Sequence, residues 1–225
     1  MFRILGDVNP DVFRGVLDEL ARKTIPVNKY RINSGEGRSQ CFGLVRQRNG
    51  SYTGSRLNFE RPELFEELLA LGRRILPSDF SYTSIQLNVD YQTEPHFDKG
   101  NKGESAIVAF GDFEEGELVI NDVNVNIKNR LVLFDGSLWL HWTRPFRGYR
   151  VSVVFFTVDK DFLEVPTFSF VLDEKGRMNL REDLGGISRI YAQDGRIMYS
   201  SDGRIPSRRA RVPTLRPCVE NMEQE

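Results

Sequence analysis

Histidine is nearly missing from this 225-residue chain: there are two, His96 and His141, so any imidazole chemistry rests on that pair. Cysteine is equally scarce. Cys41 and Cys218 stand far apart, too few for the disulfide framework of a secreted domain and poorly spaced for a zinc cluster. Long apolar runs are lacking as well. The opening MFRILGDVNPD has no apolar leader core, and no later stretch approaches the ~18 residues of a spanning helix. Neither sign of charge dominates: 31 basic and 32 acidic residues leave a net charge of -1, which gives no bulk attraction to nucleic acid or to an acidic membrane, although a local patch can still act. The expectation is a soluble intracellular protein, cytoplasmic or nuclear, in a reducing compartment. What remains is an ordinary globular balance, 28% charged and 40% hydrophobic, in a length that suits one sizeable domain.

Asn9-Pro10 is a good helix opening, and Val12, Phe13, Val16, Leu17 and Leu20 follow at helical spacing. Residues 31–40 read as a loop. Cys41–Arg46 and the run from Tyr52 flank Asn49-Gly50, a strong hairpin signal. Arg61–Leu76 reads as a second helix stopped by Pro77. From Tyr82 the period changes to two. Strands are expected at TSIQLNVDY, SAIVAFG (Ser105–Gly111), ELVIN (Glu117–Asn121), Val125–Ile127, RLVLFDG (Arg130–Gly136) and RVSVVFFT (Arg150–Thr157). Such closely spaced short strands predict a mainly β, α+β chain: an antiparallel sandwich or jelly roll with the N-terminal helices packed on one sheet.

The chain accordingly divides into residues 1–81, helices and a hairpin that support the core; 82–157, the jelly-roll core; 158–205, a peripheral β extension of the same domain; and 206–225, an expected disordered tail. The extension offers a hairpin around Glu174-Lys175-Gly176 and a weak repeat, Asp194-Gly195-Arg196-Ile197 and Asp202-Gly203-Arg204-Ile205, read as two turns. Arg204, Arg208, Arg209, Arg211 and Arg216 then run without an acid, either a solvated end or a polyanion contact.

Chemistry concentrates at Glu94-Pro95-His96-Phe97-Asp98. Residues i and i+2 of a strand share a face, so His96 and Asp98 can converge on one ion, with His141 arriving from a separate strand. Two imidazoles and a carboxylate are the ligand set of a facial triad for Fe(II), which suits a reducing compartment. Arg150 follows His141 by nine residues and opens an apolar strand. A guanidinium pointing into a barrel must meet an anion, and its fork fits a carboxylate bidentately. Ser152 shares its face, so the pair makes a seat for the distal carboxylate of a dicarboxylic acid.

H-x-D, a distal His and R-x-S in this order resemble the Fe(II)/2-oxoglutarate-dependent dioxygenases over residues 82–157. The resemblance implies a double-stranded β-helix, Fe(II) held by His96, Asp98 and His141, 2-oxoglutarate salt-bridged to Arg150, O2 consumed, and succinate and CO2 released. Asp98-Lys99-Gly100-Asn101, Ser105, Gly111-Asp112-Phe113, Gly116-Glu117-Leu118 and His141-x-Thr143-x-Pro145 further resemble the ten-eleven translocation and base J thymidine hydroxylase branch, which oxidises pyrimidine methyl groups in nucleic acid. This chain lacks that branch's cysteine-rich zinc region.

Asn88 and Tyr91 lead to the triad and contact the cofactor if the register turns them inward. Asn101 either lines the substrate mouth or caps a loop. Trp139 and Trp142 flank His141, where they pack beside the metal or stack on substrate. Arg38 and Arg46, with Arg48 and Arg56, offer a basic rim for a flipped base. The expected substrate is a macromolecule, nucleic acid first and a prolyl-hydroxylase-like peptide second. A non-catalytic jelly-roll binding module and a cupin-type enzyme without 2-oxoglutarate are the remaining readings, and the second leaves Arg150 unexplained.

Overall fold

The computed structural model describes residues 2–27, 37–46 and 52–158, together with the backbone of four strands at 167–172, 178–184, 187–191 and 197–200; of residues 52 and 53, too, only the backbone is described. In chain order, β1 (Phe2–Asp7) precedes a 3₁₀ turn (Pro10–Phe13) and α1 (Arg14–Arg22). β2 (Arg38–Arg46), β3 (Tyr52–Gly54), α2 (Leu57–Glu60) and α3 (Pro62–Ile75) follow. The centre of the chain holds β4 (Ser84–Val89), β5 (Ser105–Phe110), β6 (Phe113–Glu115), β7 (Leu118–Ile120), β8 (Val123–Val125), β9 (Arg130–Phe134), β10 (His141–Thr143), β11 (Phe146–Gly148) and β12 (Val151–Phe156). The last four strands are β13 (Thr167–Leu172), β14 (Met178–Leu184), β15 (Ile187–Tyr191) and β16 (Ile197–Ser200).

The helices begin and end for the reasons their sequences give. The Asn9 side chain accepts the Asp11 N–H at 3.0 Å, although the turn it opens is 3₁₀ before α1 takes over. α3 stops short of Pro77, which cannot continue it. Residues 57–60 form a separate short turn of helix before α3 starts at Pro62.

Seven strands form the larger sheet in the order β1-β9-β5-β12-β4-β2-β3. β10-β7-β8 face it as a smaller sheet, and β11-β6 pair beside that. Residues 93–96 extend the smaller sheet along β10: His96 and His141 exchange backbone hydrogen bonds of 3.0 and 3.1 Å, and the Thr143 N–H reaches the Thr93 carbonyl at 3.2 Å. The chain therefore passes from β4 to 93–96, back to β5, across to β7 and β8, back to β9, across to β10 and home to β12. That alternation between β9-β5-β12-β4 and β8-β7-β10-(93–96) is the double-stranded β-helix, a jelly roll.

Period-two patterning assigns the faces. Ile85, Leu87 and Val89 of β4, and Val151, Val153 and Phe155 of β12, pack against Phe13, Val16, Leu64, Phe65 and Leu68 from the helical layer. Ile107, Ala109, Leu118, Ile120, Val132 and Phe134 fill the space between the two sheets. The interleaved positions Gln86, Asn88 and Ser152 turn polar groups to the inside of the roll, where they line a cavity.

Several expectations need correction. Besides the expected hairpin strands β2 and β3, the segment 1–81 supplies β1, which was not foreseen, to the large sheet. β2 starts at Arg38, so the loop read over 31–40 ends earlier. The short strand expected at Val125–Ile127 is β8, two residues upstream, while β6 and β11 were not foreseen. β2 and β3 pair as expected, as do β13 and β14. The turns at Asn49-Gly50, Glu174-Lys175-Gly176, Asp194-Gly195 and Asp202-Gly203, and the whole of 206–225, lie outside the described residues.

Candidate metal centre

His96, Asp98 and His141 meet where the 93–98 segment crosses the end of β10. Their ligand atoms all lie within 4.8 Å of one another. Asp98 Oδ1 is 3.6 Å from His96 Nε2, and Asp98 Oδ2 is 3.5 Å from His141 Nε2, the spacing of groups that converge on one divalent ion. His141 is 5% exposed and looks inward. Asp98 belongs to no strand; its N–H is held by the Gly136 carbonyl at 2.8 Å.

Two further bonds fix the imidazoles. His96 Nδ1 lies 2.7 Å from the Glu94 carbonyl and His141 Nδ1 lies 2.9 Å from the Trp139 carbonyl. A carbonyl oxygen only accepts, so each Nδ1 carries a proton, and Nε2 is the ring nitrogen left facing the centre. The Phe134 ring meets His141 edge-on at 4.9 Å. Asn101 donates to Asp98 Oδ2 at 3.2 Å, which braces the carboxylate.

Gly136, at the end of the RLVLFDG run, stands directly behind the centre. A Cβ there would stand 3.0 Å from Asp98 Oδ2 and 3.1 Å from His141 Cε1. A methyl group here would push one of these groups by a few tenths of an ångström, so glycine lets the backbone pass close behind both.

Arg150 immediately precedes β12 and is 1% exposed. Its Nη1 donates to Ser152 Oγ at 3.4 Å, while Nε and Nη2 have no hydrogen-bond partner among the described residues. Nor does a protein carboxylate pair with it among them. The guanidinium carbon sits 5.4 Å from the ring centroids of both Phe113 and Phe146. Gly116 packs against it from below, where a Cβ would come within 3.2 Å of Nε and 2.8 Å of the Phe146 Cβ. Burial pushes the Arg150 pKa down to about 10, so the group is still a cation at neutral pH. A buried cation with an open edge is the natural counterpart of a carboxylate.

A cavity of about 120 Å³ is lined among others by Asn88, Tyr91, His96, Asp98, Asn101, His141 and Ser152; Arg150 stands behind this wall and reaches it through its bond to Ser152. Its donor set, two imidazoles, a carboxylate and the Ser152 hydroxyl in front of Arg150, suits a small metal-chelating acid. Asn88 and Tyr91 do face inward. Asn101 lines the cavity and braces Asp98.

Arg38 and Arg46 do not line the cavity. They stand at opposite ends of β2, roughly 26 Å apart at ~3.3 Å per residue, and Arg46 lies beyond the stretch of β2 that pairs with β4. Trp142 alternates away from the inward-facing His141 and Thr143, whereas Trp139 packs onto the core between the sheets. Gln86, Thr93 and Ser39 were passed over. Period two from Asn88 marks Gln86, but nothing in the sequence marks Thr93 or Ser39.

No family model matches the chain, and no curated protein matches it in sequence. Among solved structures, NgTET1 in complex with 5mC DNA is similar, with 16% identity over 70% of this chain and 72% of that one and a TM-score of 0.51. A prolyl-4-hydroxylase from Pseudomonas putida aligns at 12% identity over 70% of this chain and 92% of its own, TM-score 0.44. An oxidoreductase of the 2OG-Fe(II) oxygenase family from Burkholderia pseudomallei aligns at 17% over 64% and 76%, TM-score 0.44. The likeness to NgTET1 establishes the shared fold, so the double-stranded β-helix implied by the sequence resemblance is the fold observed.

Proposed function

We propose that the protein is an Fe(II)/2-oxoglutarate-dependent dioxygenase acting on a macromolecule, with a methyl-bearing pyrimidine in nucleic acid as the preferred substrate. One observation carries this reading: a two-imidazole, one-carboxylate cluster lines a cavity whose wall includes Ser152, the hydroxyl to which the buried Arg150 guanidinium donates from behind. When bound, Fe(II) and 2-oxoglutarate would supply the oxidising power, O2 and the diacid being converted with a substrate C–H bond to succinate, CO2 and a C–OH group.

The residues divide the work. His96 and His141 present Nε2 because their Nδ1–H groups are committed to carbonyls. Asp98 supplies the anionic ligand, kept in place by Asn101 and by the backbone of Gly136. Arg150 and Ser152 would hold the far carboxylate, and the apolar walls Ile107, Leu118 and Phe134 keep water from the centre.

Support for a pyrimidine substrate comes from the motif match after Asp98 and from NgTET1, solved with 5mC DNA, as the neighbour sharing the fold. Lys99 and Lys102 are both exposed just past the triad, and in this reading they would meet the phosphate backbone. Replacing His96 or Asp98 with alanine is expected to abolish succinate release while leaving the fold intact by circular dichroism. Release at the wild-type rate in either variant contradicts the ligand assignment. Incubation with methylated oligonucleotides and with proline-rich peptides, read by mass spectrometry for a gain of one oxygen, tests the substrate. A gain on the peptides alone overturns the nucleic-acid reading.

A further inference from the structure

A row of side chains from three neighbouring strands leads from the cavity wall, where Ser152 and Asn88 stand, back to Ser39 behind it. Ser39 of β2 lies opposite Asn88 of β4, and Asn88 lies opposite Ser152 of β12. All three point to the inside, and all are buried: Ser39 is 1% exposed, Asn88 8% and Ser152 3%. They are linked in one direction. Gln86 Nε2 donates to Ser39 Oγ at 3.0 Å, Ser39 Oγ donates to Asn88 Oδ1 at 2.6 Å, and Asn88 Nδ2 donates to Ser152 Oγ at 3.2 Å. From the other side Arg150 Nη1 also donates to Ser152 Oγ, at 3.4 Å, and a guanidinium has no accepting atom.

The consequence falls on one proton. A serine hydroxyl has two lone pairs and a single hydrogen. Both lone pairs of Ser152 are taken by donors, so its hydrogen has to point elsewhere, and no acceptor for it is found among the described residues. Ser39 sets this polarity: its hydroxyl occupies Asn88 Oδ1, which forces the amide to turn its NH2 toward Ser152. Were Asn88 reversed, its oxygen would face Ser152 and take the serine proton itself.

We propose that Ser39 is a positioning residue for the anionic co-substrate: acting through Asn88, it keeps the Ser152 hydroxyl a donor aimed into the cavity toward a carboxylate held by Arg150. The inference rests on the dioxygenase reading, since it takes the ligand to be a 2-oxo dicarboxylic acid. It assigns a role to a strand outside the segment that carries the sequence resemblance. Ser39 touches no ligand; its effect is on which partner Ser152 can serve.

The test is equilibrium binding to the full-length protein loaded with Mn(II), measured by calorimetry for 2-oxoglutarate and for 2-oxopentanoate, which lacks the distal carboxylate. In Ser39→Ala the affinity for 2-oxoglutarate is expected to fall about fivefold, the effect of roughly one hydrogen bond. The affinities for 2-oxopentanoate and for Mn(II) are expected to hold. In a Ser152→Ala background the same change should have no further effect, because the hydroxyl being oriented is gone. Ser39→Cys, close in size and a poor donor, serves if the alanine variant is unstable, and should narrow the preference between the two acids in the same way. An unchanged preference, or an equal loss for both acids, overturns the role of Ser39 while leaving the dioxygenase reading in place. Failure of the wild-type protein to bind 2-oxoglutarate overturns both.

Discussion

Arg150 shows how a single residue can reveal an absent partner. A cation buried to 1% exposure with two open N–H groups costs stability unless an anion arrives. Replacing it by the similarly long, uncharged methionine is therefore expected to leave the ligand-free protein as stable as wild type or more so, and to erase the rise in Tm that 2-oxoglutarate gives. A methionine variant that melts lower and is still stabilised by the diacid would mean that Arg150 serves the fold and not a ligand. Gly136 makes a complementary case. In Gly136→Ala the new methyl group must displace Asp98 Oδ2 or the His141 ring by a few tenths of an ångström. Metal affinity is expected to fall at least tenfold with little loss of Tm, and equal metal affinity in the two proteins would remove Gly136 from the site. At this scale the sequence was most readable. With only two histidines to choose from, the H-x-D spacing and the arginine in an apolar run left few alternatives. Ser39 was unreadable, because its role depends on a strand register that places it beside Asn88.

Among the elements, α3 fastens the helical layer to the large sheet. Leu64, Phe65 and Leu68 are fully buried there, and Leu68→Ala is expected to cost about 2–5 kcal/mol in chemical denaturation. A loss under 1 kcal/mol would show that the layer is loosely packed. Tyr82 lies against the same helix at Gly72, its ring edge-on to Phe155 at 5.0 Å. Burial pushes its hydroxyl up to about 12 from an ordinary 10.0. The unfolded chain then loses this proton first, so the contribution of Tyr82 to stability is whole below about pH 10 and declines as pH rises towards about 12. Tyr82→Phe should flatten that decline and change little at pH 7; an identical alkaline profile would place the ring in a wetter setting. The helices were legible because caps and prolines are local signals, β4 because its polar and apolar residues alternate, and β5, β9 and β12 because strands covered on both faces are short, nearly continuous apolar runs. β1 was missed for a physical reason: its partner β9 is more than a hundred residues away, and Gly6 breaks its pattern where the register shifts. β6 and β11 are three residues each, too short and too charged to carry a period.

Across the whole molecule, the double-stranded β-helix explains why ligands so distant in sequence come together. Each crossing between the sheets brings a new segment to the same mouth: 93–98 from one crossing, His141 from another, and Arg150 with Ser152 from the last strand. The N-terminal third widens the roll on its β4 side, which is how a serine at position 39 comes to stand beside Asn88 of the cavity wall. The fold class was readable from the spacing of strands, whereas the contribution of residues 1–81 to the sheet was not, since a strand that pairs only with remote partners has no local mark.

The central claim, that three side chains and a guanidinium assemble one iron and 2-oxoglutarate site, is tested most directly by anaerobic titration of the protein with Fe(II) followed by 2-oxoglutarate, monitored by the visible charge-transfer absorption of the chelated diacid. One iron and one 2-oxoglutarate per chain, with the absorption lost in Asp98→Ala and weakened in Arg150→Met, is the result expected. Iron binding without that absorption, or an absorption indifferent to both substitutions, would contradict the account.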